Sequence, residues 1–489
     1  MVSEIMKKFN KDKYLKQLKF KRFYRKYERY FYIGIPCLLV GILGIYFAYS
    51  KFTTTADEEI VKTTVGDFIY GDVIINNYVN GEYVVEAPAQ ATGYKVDKIV
   101  CDNGAIGEWN ARDWGPVISN VTKRSKCNIY FVNTEKINIG NVVVPLDAYG
   151  LCPTVNADGT ATVTEGESTY GYLCSMKDAY GTSYYYRGNV TNNYVKFGTW
   201  SNDTPSIFAG RYGELYDSLD DCKNQEDSSD CTEIIRAGKD MYWRIIRING
   251  DGTVRVIYDG TSANSNGESS SYRQIGTTAF NSSNGNAYIG YMYGKDDAST
   301  YAETHANTNN STIKTYLDTW YENNIKGTTN EQYIADNIFC NDRSFAPNNT
   351  GKGTSAYFTY YRWYNDAGTT QNSKMMLTCP QKNDAFTVND TIKGNGALTY
   401  GIGLLTADEV VLAGGLGSSN LNYYLHSGQD YWLASPGSFY GHTYERNVSS
   451  DGHSMERRID YSFGARPVFN LTSDILKNGD GISSNPYHA

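Results

Sequence analysis

Two kinds of patterning run along this chain. Phe31 to Tyr49 is an unbroken apolar run, FYIGIPCLLVGILGIYFAY, with no charged residue. At helical rise such a run reaches about 28 Å, close to the hydrocarbon thickness of a bilayer. Residues 31–50 are therefore expected to form a transmembrane helix. Beyond it the pattern changes to short strands separated by Gly, Asn and Asp. Asn80-Gly81 lies between Val73–Val79 and Tyr83–Val85 and predicts a hairpin. Cys127–Phe131 alternates as a half-buried strand, and Trp109 and Trp114 are expected to fill a small core. Tyr184–Arg187 and Tyr194–Phe197 flank Thr191-Asn192-Asn193 and predict a second hairpin. Tyr242–Ile248 and Thr253–Tyr258 flank Asn249–Gly252 and predict a third.

Two segments carry helical periodicity. Ile313, Leu317, Trp320 and Asn324 share one face, with Ser311 as a cap and Gly327 as a stop. Thr406 followed by Glu409 reads as a capping box, and that helix should end at Gly414-Gly415. The tail returns to strands at 431–434, 444–448, 455–460 and 466–471. Pro436 is expected to end the first of them, and Asp451-Gly452 to turn the last hairpin.

Charge sharpens the membrane reading. Residues 1–30 carry 11 Lys/Arg and 3 Asp/Glu, so they are expected to stay cytoplasmic. The remainder is acidic, with a net charge of −16, which disfavours nucleic acid as a partner. The expected localisation is a single-pass cell-membrane protein with its C-terminal domain outside. A cleaved signal peptide is the rival reading, with Ala48-Tyr49-Ser50 in small-x-small form. The organisation that follows is a basic segment (1–30), a transmembrane helix (31–50), a stalk (51–62), a small β-domain (63–133), a connector (134–165) and one large domain (166–489).

Nine cysteines occur, one of them in the apolar run. The other eight fall into sequence-local pairs: Cys101/Cys127, Cys152/Cys174, Cys222/Cys231 and Cys340/Cys379. An even number outside the membrane fits disulfides, although eight cysteines allow 105 connectivities. The chain holds 44 Tyr and 47 Gly, a composition suited to β-rich binding surfaces.

Two resemblances follow from particular stretches. GYKVDKIVCDNGAIGEWNARDWGPVISNVTKRSKCNIYF resembles the small Ig-like modules of Firmicute-type membrane-anchored surface proteins. YWRIIRINGDGTVRVIY (242–258), GIGLLTADEVVLAGG (401–415) and YWLASPGSFYGHTYERNVSSDGHSMERRIDYSFGARPVFNL (431–471) together resemble bacterial surface domains with a C-type-lectin-like fold. That family is distantly similar to formylglycine-generating-enzyme-like domains and to retroelement-diversified variable proteins. The resemblance implies an all-β Ig-like module followed by an α+β C-type-lectin-like domain. It implies that Trp432 and Leu433 pack under a sheet and that Arg466 satisfies buried carbonyls or a carboxylate. It also implies that the loops of 437–463 face a ligand, which makes Phe439, Tyr440, His442, Tyr444, Asn447, Asp451, His453 and Tyr461 the candidate binding residues.

The expected function is ligand binding or adhesion at the cell surface, with a glycan or protein as partner. The alternative is an extracytoplasmic enzyme, formylglycine-generating-like or cell-wall-modifying, on the same scaffold. No nucleophile, zinc or phosphate-loop motif occurs. The chain has no cysteine after Cys379, whereas the formylglycine-generating relatives depend on reactive cysteines near the C-terminus. No catalytic residue, metal ligand or cofactor is expected. Asn365-Asp366 and Asn383-Asp384 are the nearest echoes of a lectin calcium site, and neither has EF-hand-like spacing; the acidic run 218–231 could bind calcium weakly, but it reads first as a solvated loop.

Overall fold

The computed structural model describes residues 19, 73–133, 136–139, 142–227, 229–263, 271–296, 300–345, 359, 362, 374–416, 419–439 and 441–489. The expected fold class needs correction. Among the described residues no helix is long and apolar enough to cross a membrane, and strands far outnumber helices. The longest α-helix among them, α1 (Thr312–Asn324), has 13 residues. The predicted span 31–50 and the stalk 51–62 lie outside the described residues, as does all of the basic segment but Lys19.

The described residues divide into two compact units. One comprises 73–76, 99–110 and 115–128; the other comprises 77–98, 111–114 and 129–489. Strands β3 (Tyr94–Cys101) and β6 (Ser125–Asn133) have residues in both; in the first, strands β4 (Ile106–Asn110) and β5 (Gly115–Ser119) form an antiparallel pair. Ala105, Ile118 and Cys127 make a small core, tied by the Cys101–Cys127 disulfide. Trp109 in this unit and Trp114 in the other, both expected in the core, are each only half-buried.

β1 (Val73–Val79) begins in the first unit, and its last residues, Asn77–Val79, pair in the second with β2 (Glu82–Val84) across Asn80-Gly81, as the pattern predicts. Both turn residues have positive φ, 50° and 91°, which a two-residue hairpin of this hand requires. The main sheet has seven strands. Its path runs β7 (Gly171–Lys177), β8 (Thr182–Gly188), β10 (Asp240–Ile248), β11 (Val254–Gly260), β18 (Val468–Leu471) and β13 (Ile402–Gly403), with β9 (Tyr194–Thr199) also on β10. β8 and β9 do not form the predicted hairpin with each other. They lie end to end along β10, pairing with Ile248–Arg247 and with Arg244–Tyr242 respectively. Turn composition marks a reversal without specifying which strand receives it.

A second sheet runs β12 (Gly276–Ala279), β17 (Ser462–Ala465), β14 (Tyr431–Phe439), β15 (Thr443–Val448) and β16 (Ser454–Arg458). β14 continues through Pro436, which was expected to end it. The register shifts on both sides of Pro436, so the proline's missing N–H falls at an irregularity that tolerates it.

An aromatic core joins the main sheet to α1. Trp243 is fully buried and contacts Phe469 at 5.0 Å and Tyr258 at 5.5 Å, while Trp320 from α1 meets Trp200 at 5.6 Å. Burial of each such side chain contributes about 2–3 kcal/mol. Ser311 caps α1 by accepting from the Lys314 N–H. Helix α2 (Ala407–Leu412) carries the predicted capping box between Thr406 and Glu409.

All eight cysteines outside the apolar run are paired between sequence neighbours: Cys101–Cys127, Cys152–Cys174, Cys222–Cys231 and Cys340–Cys379. Four disulfides suit an extracellular or secreted protein. Single-pass anchoring has no support among the described residues.

Candidate ligand-binding face

The predicted binding residues fall on the β14–β15–β16 edge of the second sheet, and the register sorts them. Along β15, Thr443, Glu445 and Asn447 share one face, and Tyr444, Arg446 and Val448 the other. Asn447 lies opposite Trp432 and is fully buried. Its Nδ2 donates to Asp430 Oδ2 at 3.0 Å. Its place on the predicted ligand face is therefore corrected. Phe439 and His442 are half-buried at the end of the β14–β15 hairpin, and Tyr440 lies outside the described residues.

Asp451 and His453 are spent on each other. His453 Nδ1 lies 2.6 Å from Asp451 Oδ1 in the β15–β16 turn, and Ser449 Oγ donates to the same oxygen. Burial opposes ionisation of Asp451, but the hydrogen bonds from Ser449 and His453 outweigh it and hold its pKa below the usual value. Gly452 completes the turn with φ of 87°. A Cβ there would stand 2.0 Å from the Asn420 carbonyl oxygen, so the position requires glycine.

Tyr461 is exposed and Tyr444 is half-buried. Tyr461 is 50% exposed. The Arg458 guanidinium lies 4.8 Å from its ring centroid. Arg458 also pairs with Asp460 at 2.7 Å, and Asn284 Nδ2 donates to Asp460 at 2.7 Å. The hydrogen bond from Arg458 is the main reason the Asp460 carboxyl is held below its ordinary range. Tyr444, half-buried, is the cross-strand partner of Arg458. The surface that emerges is Tyr444, Arg458, Asp460 and Tyr461. Arg458 and Asp460 were missing from the predicted set, because the β15–β16 register that sets Arg458 beside Tyr444 is not read from strand period alone.

Beneath the second unit's surface lies a buried charge network that periodicity did not anticipate. Arg247 on β10 contacts Asp178 at 2.8 Å and Glu409 at 3.0 Å, and Arg255 on β11 reaches Glu409 at 2.7 Å. Arg362 bridges Asp342 at 2.7 Å and Asp408 at 2.9 Å. Burial works against the Glu409 carboxylate, but Arg255 and then Arg247 outweigh it and lower its pKa. Arg255 falls to about 10 because its guanidinium is buried, an effect that Glu409 partly offsets. The signal was present in the strand text, where RIIRI and VRV place charge inside apolar runs. The cavity among these groups is about 30 Å³. That is room for a water or two and for no larger ligand.

Among the described residues no three His, Cys, Asp or Glu side chains are grouped to hold a metal ion. Asp220 and Asp221 of the acidic run sit in the first turn of a short helix, Leu219–Gln225, capped by Ser218. No protein-family model matches the chain, and no curated protein or solved structure matches it either.

Proposed function

We propose that this protein is a ligand-binding protein of an extracytoplasmic compartment, and that it recognises a glycan through the Tyr444–Arg458–Tyr461 face. The observation that carries the reading is the half-exposed Tyr461 ring, flanked by the Arg458 guanidinium, which Asp460 in turn holds by an ion pair. Tyrosine rings stack on the apolar faces of sugars, while guanidinium and carboxylate groups bond to hydroxyls. Holding the ring in place before binding reduces the ordering cost of association. The four disulfides support the compartment. The sequence resemblance to C-type-lectin-like surface domains supports the class of ligand.

A glycan array probed with the full chain tests the proposal. Saturable binding to a defined group of glycans is expected. Its absence across the array, with a protein ligand captured instead by the same face, would replace the glycan with a protein partner.

A further inference from the structure

A second recognition feature lies apart from that face, and it rests on a charge imbalance. Arg244, Arg273 and Arg466 converge on one carboxylate, Asp259. Arg273 Nε lies 2.7 Å from Asp259 Oδ1, Arg466 Nη2 lies 2.8 Å from the same oxygen, and Arg244 Nη1 is 3.8 Å from Oδ2. Asp259 is completely buried, and the three arginines are at most 5% exposed. Arginine stays protonated, so three positive charges face one negative charge in a low-dielectric environment.

Among the described residues the other neighbours do not restore the balance. The remaining guanidinium hydrogen bonds run to neutral acceptors. Arg244 donates to Asn193 Oδ1 and the Val190 carbonyl, Arg273 to the Tyr424 and His426 carbonyls, and Arg466 to the Tyr258 and Leu425 carbonyls. The packed rings are Tyr194 and Tyr424 against Arg244, and Tyr431 against Arg466. Burial raises the pKa of all three tyrosines, so they stay neutral. His426 is pushed down by burial and by Arg273, so it is neutral and adds no charge of either sign. Carbonyls satisfy the N–H groups without cancelling the charge.

The arginines do not sit in solid packing. Arg244 and Arg273 line a cavity of about 330 Å³ together with the buried Tyr424, the half-buried His426 and, at the exposed rim, Asn189 and Asn422. That volume is at the lower end of the range for small-molecule sites, about 300–1,000 Å³. The cavity wall is joined to the β15–β16 turn, since His426 Nε2 lies 2.9 Å from the Ser450 carbonyl oxygen and the Asn420 N–H donates to the Asp451 carbonyl.

We propose that this cavity is a binding site for an oxyanion-bearing small molecule, whose carboxylate or phosphate group supplies the missing negative charge beside Arg244 and Arg273. A guanidinium attracts either anion by its positive charge, which hydrogen bonds to carbonyls leave in place. The proposal stands independently of the glycan-binding face.

Calorimetric titration of the full chain with glucuronate, inorganic phosphate and neutral glucose is the test. One-to-one saturable binding of glucuronate or phosphate is expected, weakened by added salt, with none for glucose. Glucuronate alone identifies a carboxylate ligand, and phosphate alone a phosphate ligand. Asn422→Asp and Asn189→Asp place a carboxylate at the exposed rim without touching the arginine hydrogen bonds. Each is expected to weaken oxyanion binding about tenfold or more while leaving the melting temperature unchanged or higher. No saturable binding of either oxyanion, or equal affinity in both rim variants, overturns the proposal.

Discussion

At the scale of single residues, burial decides more than identity. Glu445 and His305 are both ionisable and both enclosed, and they respond to pH in opposite directions. Neither Glu445 carboxyl oxygen has a hydrogen-bond partner among the described residues. Burial pushes its pKa well above the ordinary 4.5, against a weaker pull from Arg343. The folded protein keeps that proton while the unfolded chain releases it above about pH 4.5. Stability from this group is therefore present below pH 4.5 and lost as pH rises toward the folded value. Glu445→Gln keeps the neutral shape, so its melting temperature should exceed the parent's at pH 8 and approach it at pH 4.5. Parallel melting curves across that range would contradict the assignment. His305, stacked on Tyr301 at 4.0 Å, is pushed down to about 3, first by burial and then by Arg343. Its contribution is present above the unfolded value of about 6.5 and lost as pH falls toward 3. His305→Gln should therefore flatten the acid side of the stability profile, and an unchanged acid slope would count against it. Neither burial was legible in sequence. Asn447 makes the same point: its residue type suits a sugar, but its register opposite Trp432 places it inside.

At the scale of elements, local chemistry was readable and partner choice was not. The Asn80-Gly81 turn, the Ser311 cap and the Thr406–Glu409 capping box all form where the residues require. β8 and β9 show the limit, because the turn between them is real but each strand pairs with β10 instead. That choice depends on a partner some fifty residues away in sequence, which no local pattern encodes. Pro436 shows a second limit, since an irregular register lets a strand pass through a residue that ordinarily stops one. The buried network between α2, β10 and β11 yields a direct expectation. Glu409 is the shared partner of Arg247 and Arg255, so Glu409→Ala leaves two guanidiniums without their carboxylate. Such a loss costs about 3–5 kcal/mol. Denaturant unfolding should show a shift of that order, and a change below about 1 kcal/mol would mean that the network is incidental.

At the scale of the whole molecule, cysteine spacing was the most informative long-range signal. Each cysteine pairs with its sequence neighbour because each bond closes a local loop. The widest, Cys340–Cys379, spans a separation of 39 residues. Closing a loop of that size contributes about 2–4 kcal/mol by restricting the unfolded chain. Joint Cys340→Ser and Cys379→Ser replacement should lower unfolding stability by that amount, and full retention of stability would contradict it. The proposed binding face keeps two of the predicted residues, the half-buried Tyr444 and the exposed Tyr461, and adds Arg458 and Asp460, which sequence alone did not select. Measuring glycan affinity for Tyr444→Ala and Tyr461→Ala beside the parent chain tests the central claim most directly. Each variant should bind at least tenfold more weakly, equivalent to about 1.4 kcal/mol, with an unchanged melting temperature. Parent-like affinity in both variants would contradict the proposed face.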